Sequence, residues 1–202
     1  TWITGAYVAW RLLRDPNEKI LIVSQSGAHS DNISIFIRKL IDTMEILQHL
    51  QPRSDQRSSV VSFDVDGCDV SVQPSVKALG ITSQLQGNRA SLLISDDVEG
   101  QQNSATEKRR QDLLGQVAEY EAILQTSGKS QILVLGTPQS SESIYNRLKD
   151  KGYVTRIYPA RYPDNIESYG GCLAEYIEQD MANNPSLINT PIDERFTEED
   201  LY

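Results

Sequence analysis

Apolar residues fall along the chain in two alternating patterns, short unbroken runs and longer stretches at helical spacing. Segment 2–13 (WITGAYVAWRLL) carries Ile3, Ala6, Tyr7, Trp10 and Leu13 on one helical face and stops before Asp15-Pro16-Asn17, a turn signal. Trp2 and Trp10 share a face of that helix and read as core. Residues 19–24 (KILIVS) are a continuous apolar run, the pattern of a strand buried on both faces. An amphipathic helix follows, with Ile33, Phe36, Ile37, Leu40, Ile41, Met44 and Leu47 on one side. Beyond a polar loop at 51–59, strands are expected over 60–65 and near 75–79, and a third begins at Leu92-Leu93-Ile94. Residues 103–124 read as one long helix with Ser104 as N-cap and Glu107 as its capping-box partner. A strand is expected over 131–135 (QILVL), a helix around 141–149 and a strand near 153–158. The tail, 163–202, is richer in Pro, Asn and Glu, with a helix around 168–181. Strands alternating with helices predict an α/β fold, a mostly parallel sheet flanked by helices.

Two of these strands end in reactive residues. Leu92-Leu93-Ile94-Ser95 runs into Asp96-Asp97-Val98-Glu99, and Ile132-Leu133-Val134-Leu135 runs into Gly136-Thr137-Pro138-Gln139. Ligands of open α/β sheets bind at the carboxyl ends of the strands, so the two termini suggest one shared site. The first looks like a Walker B magnesium strand. A nucleotide-bound magnesium ion keeps several waters and takes only one or two protein carboxylates. Asp96 would serve the metal, and Asp97, with Glu99 second, would orient or deprotonate the attacking water. The alternative is a solvated acidic turn. In the second motif Gly136 permits close backbone approach, Pro138 fixes the strand exit, and Thr137 and Gln139 offer polar groups to a phosphate or water. Alone, such a segment is also a generic strand-to-helix turn. Ser24-Gln25-Ser26-Gly27 adds a third, weaker polar strand end.

Composition changes this picture little. Apolar residues make up 39% and charged residues 23% of the 202, which is ordinary for a globular protein long enough for one buried core and an appendage. No apolar run approaches bilayer length and no signal-peptide pattern occurs. Cys68 and Cys172 lack metal or redox spacing and read as reduced thiols of a cytosolic protein. The net charge of -9 argues against strong non-specific DNA affinity of the chain by itself. His29 and His49 have no neighbouring ligand set. Lys108-Arg109-Arg110 reads as a solvated face, and Tyr153, Tyr158 and Tyr162 as packing on the sheet. No G-x-x-x-x-G-K-S/T phosphate loop occurs. Thr1 followed directly by an amphipathic helix is, however, how the last residue of such a loop and its helix would read.

The collinear order TWITGAYVAW, KILIVSQSGAHSDNISIFIRKLID, SVKALGITSQLQGNRASLLISDDVE, NSATEKRR, LVLGTPQ and YPARYP resembles the large terminase subunit of short-tailed, podovirus-type phages over nearly the whole chain. The resemblance implies a P-loop NTPase core of the ASCE, RecA-like kind, missing most of its P-loop, over 1–162. It implies a lid or linker over 163–202 that leads toward an absent nuclease domain. It implies an ATP hydrolase that drives double-stranded DNA into a procapsid, using ATP and Mg2+. The implied partners are the portal protein, the procapsid, the small terminase subunit and other copies in a ring, all in the host cytoplasm and none in a membrane. Spreading DNA contacts over a ring removes the force of the charge argument.

On this resemblance Thr1 closes Walker A and ligates magnesium with Asp96, Asp96 and Asp97 form Walker B, and Gly136, Thr137, Pro138 and Gln139 form the coupling motif. Arg89 lies where large terminases can carry a trans-acting arginine, which would stabilise charge on the transferring phosphoryl group; it could equally pair with a nearby acid. The departures are the missing P-loop glycines and lysine and the missing nuclease acids, so the chain by itself is expected to be inactive. A DExD/H helicase-like ATPase and a non-catalytic α/β assembly module stay open as alternatives.

Overall fold

The computed structural model describes residues 2–126, 128–197 and 199. Two compact units divide the chain, residues 1–147 and 148–202. The first is built on a five-stranded sheet in the order β2-β3-β1-β4-β5, where β1 is Ile20–Ser24, β2 Ser62–Phe63, β3 Val76–Gly80, β4 Leu92–Asp96 and β5 Gln131–Leu135. The pairs β1–β3, β1–β4 and β4–β5 are parallel, and only β2 runs antiparallel to its neighbour. Every residue of β1 and β4 is buried, as their unbroken apolar runs require. β5 pairs only with β4 among the described strands and is half-buried along most of its length.

Helix α1 (Trp2–Arg14) and helix α2 (Gly27–Thr43) contribute Val8, Ala9, Leu12, Ile33, Ile37 and Ile41 to the main core, with Ile20, Ile22, Val76, Ala78, Leu92 and Ile94 from the sheet. The buried stripe of α1 is Thr4, Gly5, Val8, Ala9 and Leu12. This corrects the expected tryptophan face: Trp2 is 77% and Trp10 45% exposed. The reason is close helix–helix approach. A Cβ on Gly5 would stand 2.4 Å from the Phe36 ring, so small residues rather than bulky ones make the contact. Trp2 instead lies edge-on to Phe36 with centroids 4.6 Å apart, and Trp10 stacks on Tyr7 beneath the Arg14 guanidinium.

Other elements differ from the sequence pattern for local reasons. Residues 60–65 pair only at Ser62–Phe63, and Val60 and Val61 are exposed. The long helix over 103–124 is three pieces, α3 (Gln101–Ser104), α4 (Glu107–Ala118) and α5 (Tyr120–Ile123). Thr106, not Ser104, caps α4 by accepting from the Arg109 N–H at 3.3 Å, while the Ser104 hydroxyl donates back to the Gly100 carbonyl. Where the pattern places one amphipathic helix over 33–47, α2 starts at Gly27 behind the Ser26 N-cap and gives way to a 3-10 turn at Glu45–Leu50.

Helix α6 is Ile144–Asp150 and α7 is Glu175–Asn183. In the second unit no strand forms over 153–158 among the described residues; Ile157 makes a single bridge to Leu173, and Val154 and Tyr158 are exposed. Tyr162 packs with Leu173, Ala174, Ile177 and Met181 in a small core of that unit, where a place on the sheet was expected. The helix expected over 168–181 is broken because Gly170 and Gly171 adopt positive φ, which ends a 3-10 turn at Ile166–Tyr169 ahead of α7. Both cysteines are free thiols.

Candidate functional site

The parallel register sets Gly80, Ser24, Asp96 and Leu135 side by side at the carboxyl ends of β3, β1, β4 and β5. The residues that follow these ends make the site. A cleft of about 360 Å3 opens there, lined by Gln25 and His29, by Asp97, Glu99, Gly100 and Gln101, and by Thr137 and Gln139. Among the described residues, no lysine or arginine lines it.

The adjacent acids receive different environments. Asp96 ends β4 and is 2% exposed. Asp97 is exposed and adopts φ 48, one of two left-handed non-glycine residues among those described. Its N–H donates to the Leu135 carbonyl at 3.0 Å, so the chain leaves the sheet at this bend. Asp tolerates the left-handed region better than most residues, at a cost of about 1 kcal/mol or more. Such strain clusters at functional sites.

Glu99 is buried and has a structural task. One carboxylate oxygen accepts from the Ser143 hydroxyl and from the Ile144 N–H at 3.0 Å, holding the start of α6. The other oxygen has no partner among the described residues. Tyr145 then comes down over the second motif: a Cβ on Gly136 would lie 2.0 Å from its ring, so any larger residue there would have to displace the tyrosine. The Tyr145 hydroxyl accepts from the Glu99 N–H at 3.4 Å. Burial first, then the charges of Asp97, Glu99 and Asp96, push its phenol up to about 12. Gln25 covers Gly100 in the same way, since a Cβ at 100 would fall 2.1 Å from its amide nitrogen.

The structure therefore brings Asp96, Asp97, Glu99, Gly136, Thr137 and Gln139 to one end of the sheet, with Pro138 exposed between the last two. Arg89 is elsewhere. It precedes β4, at the amino end of the strands, where its guanidinium donates to the Asn88 carbonyl at 2.8 Å and makes no ion pair among the described residues. The alternative, pairing with a nearby acid, is not seen among the described residues, where the polar groups lining the adjoining cavity are neutral or cationic. Thr1 lies outside the described residues.

Sequence reasoning passed over Tyr145 and Ser143. The signal was faint: a serine ahead of a short apolar helix start, and a glycine whose need for space shows only once the fold brings Tyr145 onto it.

A magnesium nucleotide fits this donor set. No group of three His, Cys, Asp or Glu side chains among the described residues could hold a metal ion alone. A buried carboxylate beside a second acid suffices when phosphates and water supply the remaining ligands. No helix among the described residues is long and apolar enough to cross a membrane.

No family model matches the chain. It is 44% identical over 207 residues to the terminase large subunit of Enterobacteria phage T3, an alignment that covers 100% of this chain and 35% of that protein. The chain thus spans about a third of the length of the relative it matches. With every strand and every cleft residue inside that alignment, the chain is a homologue of part of the terminase large subunit.

Proposed function

We propose that the cleft at the carboxyl ends of β1, β4 and β5 is the metal-and-water end of an ATP site, in the motor part of a viral DNA-packaging protein. The supporting observation is the split acid pair. Asp96 is buried at the end of the strand and Asp97 is bent into the cleft by a left-handed turn, beside the polar residues that follow β5. Asp96 would hold the magnesium ion of the nucleotide. Bound magnesium would polarise the phosphoryl oxygens and neutralise charge there. Asp97 would orient the attacking water and take its proton, with Glu99 second because one of its oxygens already holds α6.

Thr137 and Gln139 lie across the cleft and would sense the terminal phosphate. Tyr145 and Gly136 would couple them to the acid loop, since the tyrosine touches both. In the longer protein, a phosphate-cradling loop immediately before Thr1 would complete the site, and Arg89 would act on a neighbouring copy's nucleotide. Double-stranded DNA, the portal protein, the procapsid and the small terminase subunit are the partners on this reading.

Asp97→Asn in the full-length protein tests it. The substitution should abolish ATP turnover and packaging while nucleotide binding persists. Near-normal turnover would move the water-activating role to Glu99.

A further inference from the structure

The end of β1 carries a polar side chain that hydrolysis as outlined above leaves unused. Gln25 is the first residue beyond that strand, and the pairing of Ser24 with Asp96 makes it the counterpart of Asp97, one strand over. Both residues line the cleft. Gln25 is half-buried, and its amide makes no hydrogen bond among the described residues.

What holds the amide is close contact with the acid loop. A Cβ on Gly100 would lie 2.1 Å from the amide nitrogen, 2.5 Å from its carbon and 2.8 Å from its oxygen, so the whole planar group lies against the glycine. Gly100 has φ -149, an extended conformation open to any residue, so the glycine answers a need for space and not for backbone freedom. The surface beneath the amide is pinned. The Gly100 N–H donates to the Asn103 side-chain oxygen at 2.8 Å, the Asn103 amide donates to the Val98 carbonyl at 2.7 Å, and the Ser104 hydroxyl donates back to the Gly100 carbonyl at 2.8 Å. A polar group seated on such a surface keeps its place before any ligand arrives, as catalytic preorganisation requires.

We propose that Gln25 is a catalytic residue of the cleft, its amide orienting the attacking water beside Asp97. This role rests on the reading of the cleft as an ATP site. An amide suits the task because it both accepts and donates. Its oxygen accepts from one hydrogen of the water, and its nitrogen donates to an oxygen of the terminal phosphate, which fixes the attacker against its target. Asp97, as a carboxylate, can only accept, and it takes the water's other proton. The water oxygen bonds to the terminal phosphorus while the bond from that phosphorus to the leaving diphosphate breaks, and the leaving oxygen keeps the electron pair. Gln25 neither gains nor loses a proton. Being neutral, it adds no charge to repel an anionic nucleotide from a cleft that already holds Asp97 and Glu99.

The test is steady-state turnover of the full-length protein with magnesium and ATP. Gln25→Met keeps the length of the side chain over Gly100 and removes the amide. Its kcat should fall about 10- to 100-fold with KM for ATP within about twofold of wild type, the mark of a group used in the transition state alone. The lost group does not titrate, so the fall should be the same at every pH where the protein is active. Gly100→Ala pushes the amide aside without altering it and should cause a similar fall in kcat. The double variant should be no slower than the slower single one, as for two changes to one interaction.

A Gln25→Met kcat within about twofold of wild type overturns the role, and so does a raised KM with kcat unchanged, which marks a binding contact. Full additivity in the double variant overturns it as well. A wild-type protein with no magnesium-dependent turnover would instead sink the ATP-site reading and this role with it, so the two failures look different.

Discussion

The two ends of one parallel sheet are built by opposite means. At the carboxyl end, acids gather with no lysine or arginine among the described lining residues, and the backbone bends into a left-handed turn at Asp97. At the amino end, Lys19, Lys77 and Arg89 line a small cavity, the neighbouring Glu18 is held by Arg11 and Ser91, and the loops are tied down by amide and backbone hydrogen bonds. Parallel strands point all their carboxyl ends one way, so consecutive crossovers collect the residues of each end into a separate cluster.

The comparison breaks most severely at Asp97. Neutralising it with Asp97→Asn should lower ATP turnover of the full-length protein by at least about 100-fold, the usual scale for a positioned general base. Steady-state phosphate release measures this, and an unchanged rate would remove the functional meaning of the left-handed turn.

Gly136→Ala should come next. It drives a methyl group into the Tyr145 ring and should destabilise the chain by about 1–3 kcal/mol in chemical denaturation. Adding Tyr145→Ala should restore part of the loss; no recovery would show that the two residues do not press on each other.

The amino end should respond in the opposite sense. Lys19→Met replaces an unpartnered buried ammonium by an apolar side chain of similar length. It should be neutral or stabilising by about 1 kcal/mol. Clear destabilisation there would mean that the lysine already has a partner in solution.

The smallest effect is a titration. With its phenol pushed up to about 12 by burial and by the neighbouring acids, Tyr145 keeps its proton in the folded chain after an unfolded tyrosine has lost it. The folded state therefore binds the extra proton. Its contribution to stability is complete below about pH 10 and lost as pH rises toward about 12. Tyrosinate absorbance should show one late-titrating phenol that disappears in Tyr145→Phe.

Much of the sheet was legible in the sequence, because β1 and β4 are buried on both faces and read as unbroken apolar runs. The position of the acid pair followed from the same signal, as did the polar residues after β5. Helix faces were less legible. The buried stripe of α1 is made of Thr4, Gly5, Val8, Ala9 and Leu12, and a count of bulky side chains points to the face carrying the tryptophans instead. The breaks at Thr106 and Gly170 were also hidden, since caps and left-handed glycines interrupt a periodic pattern without changing it much. Tyr145 was out of reach for a different reason. Its role depends on a long-range approach to Gly136 and Glu99 that no local spacing encodes.

The two margins of the sheet carry unequal hazards. One is closed off by the two-residue strand β2, whereas β5 at the other margin presents Ile132, Leu133 and Val134 half-buried, on a strand bonded only to β4 among those described. Open apolar strands of this kind are templates for further strand pairing. Without a cover, that margin is an adhesive seam, and concentrated samples of the chain should self-associate there. A lysine in place of Val134 would be the simplest way to blunt it.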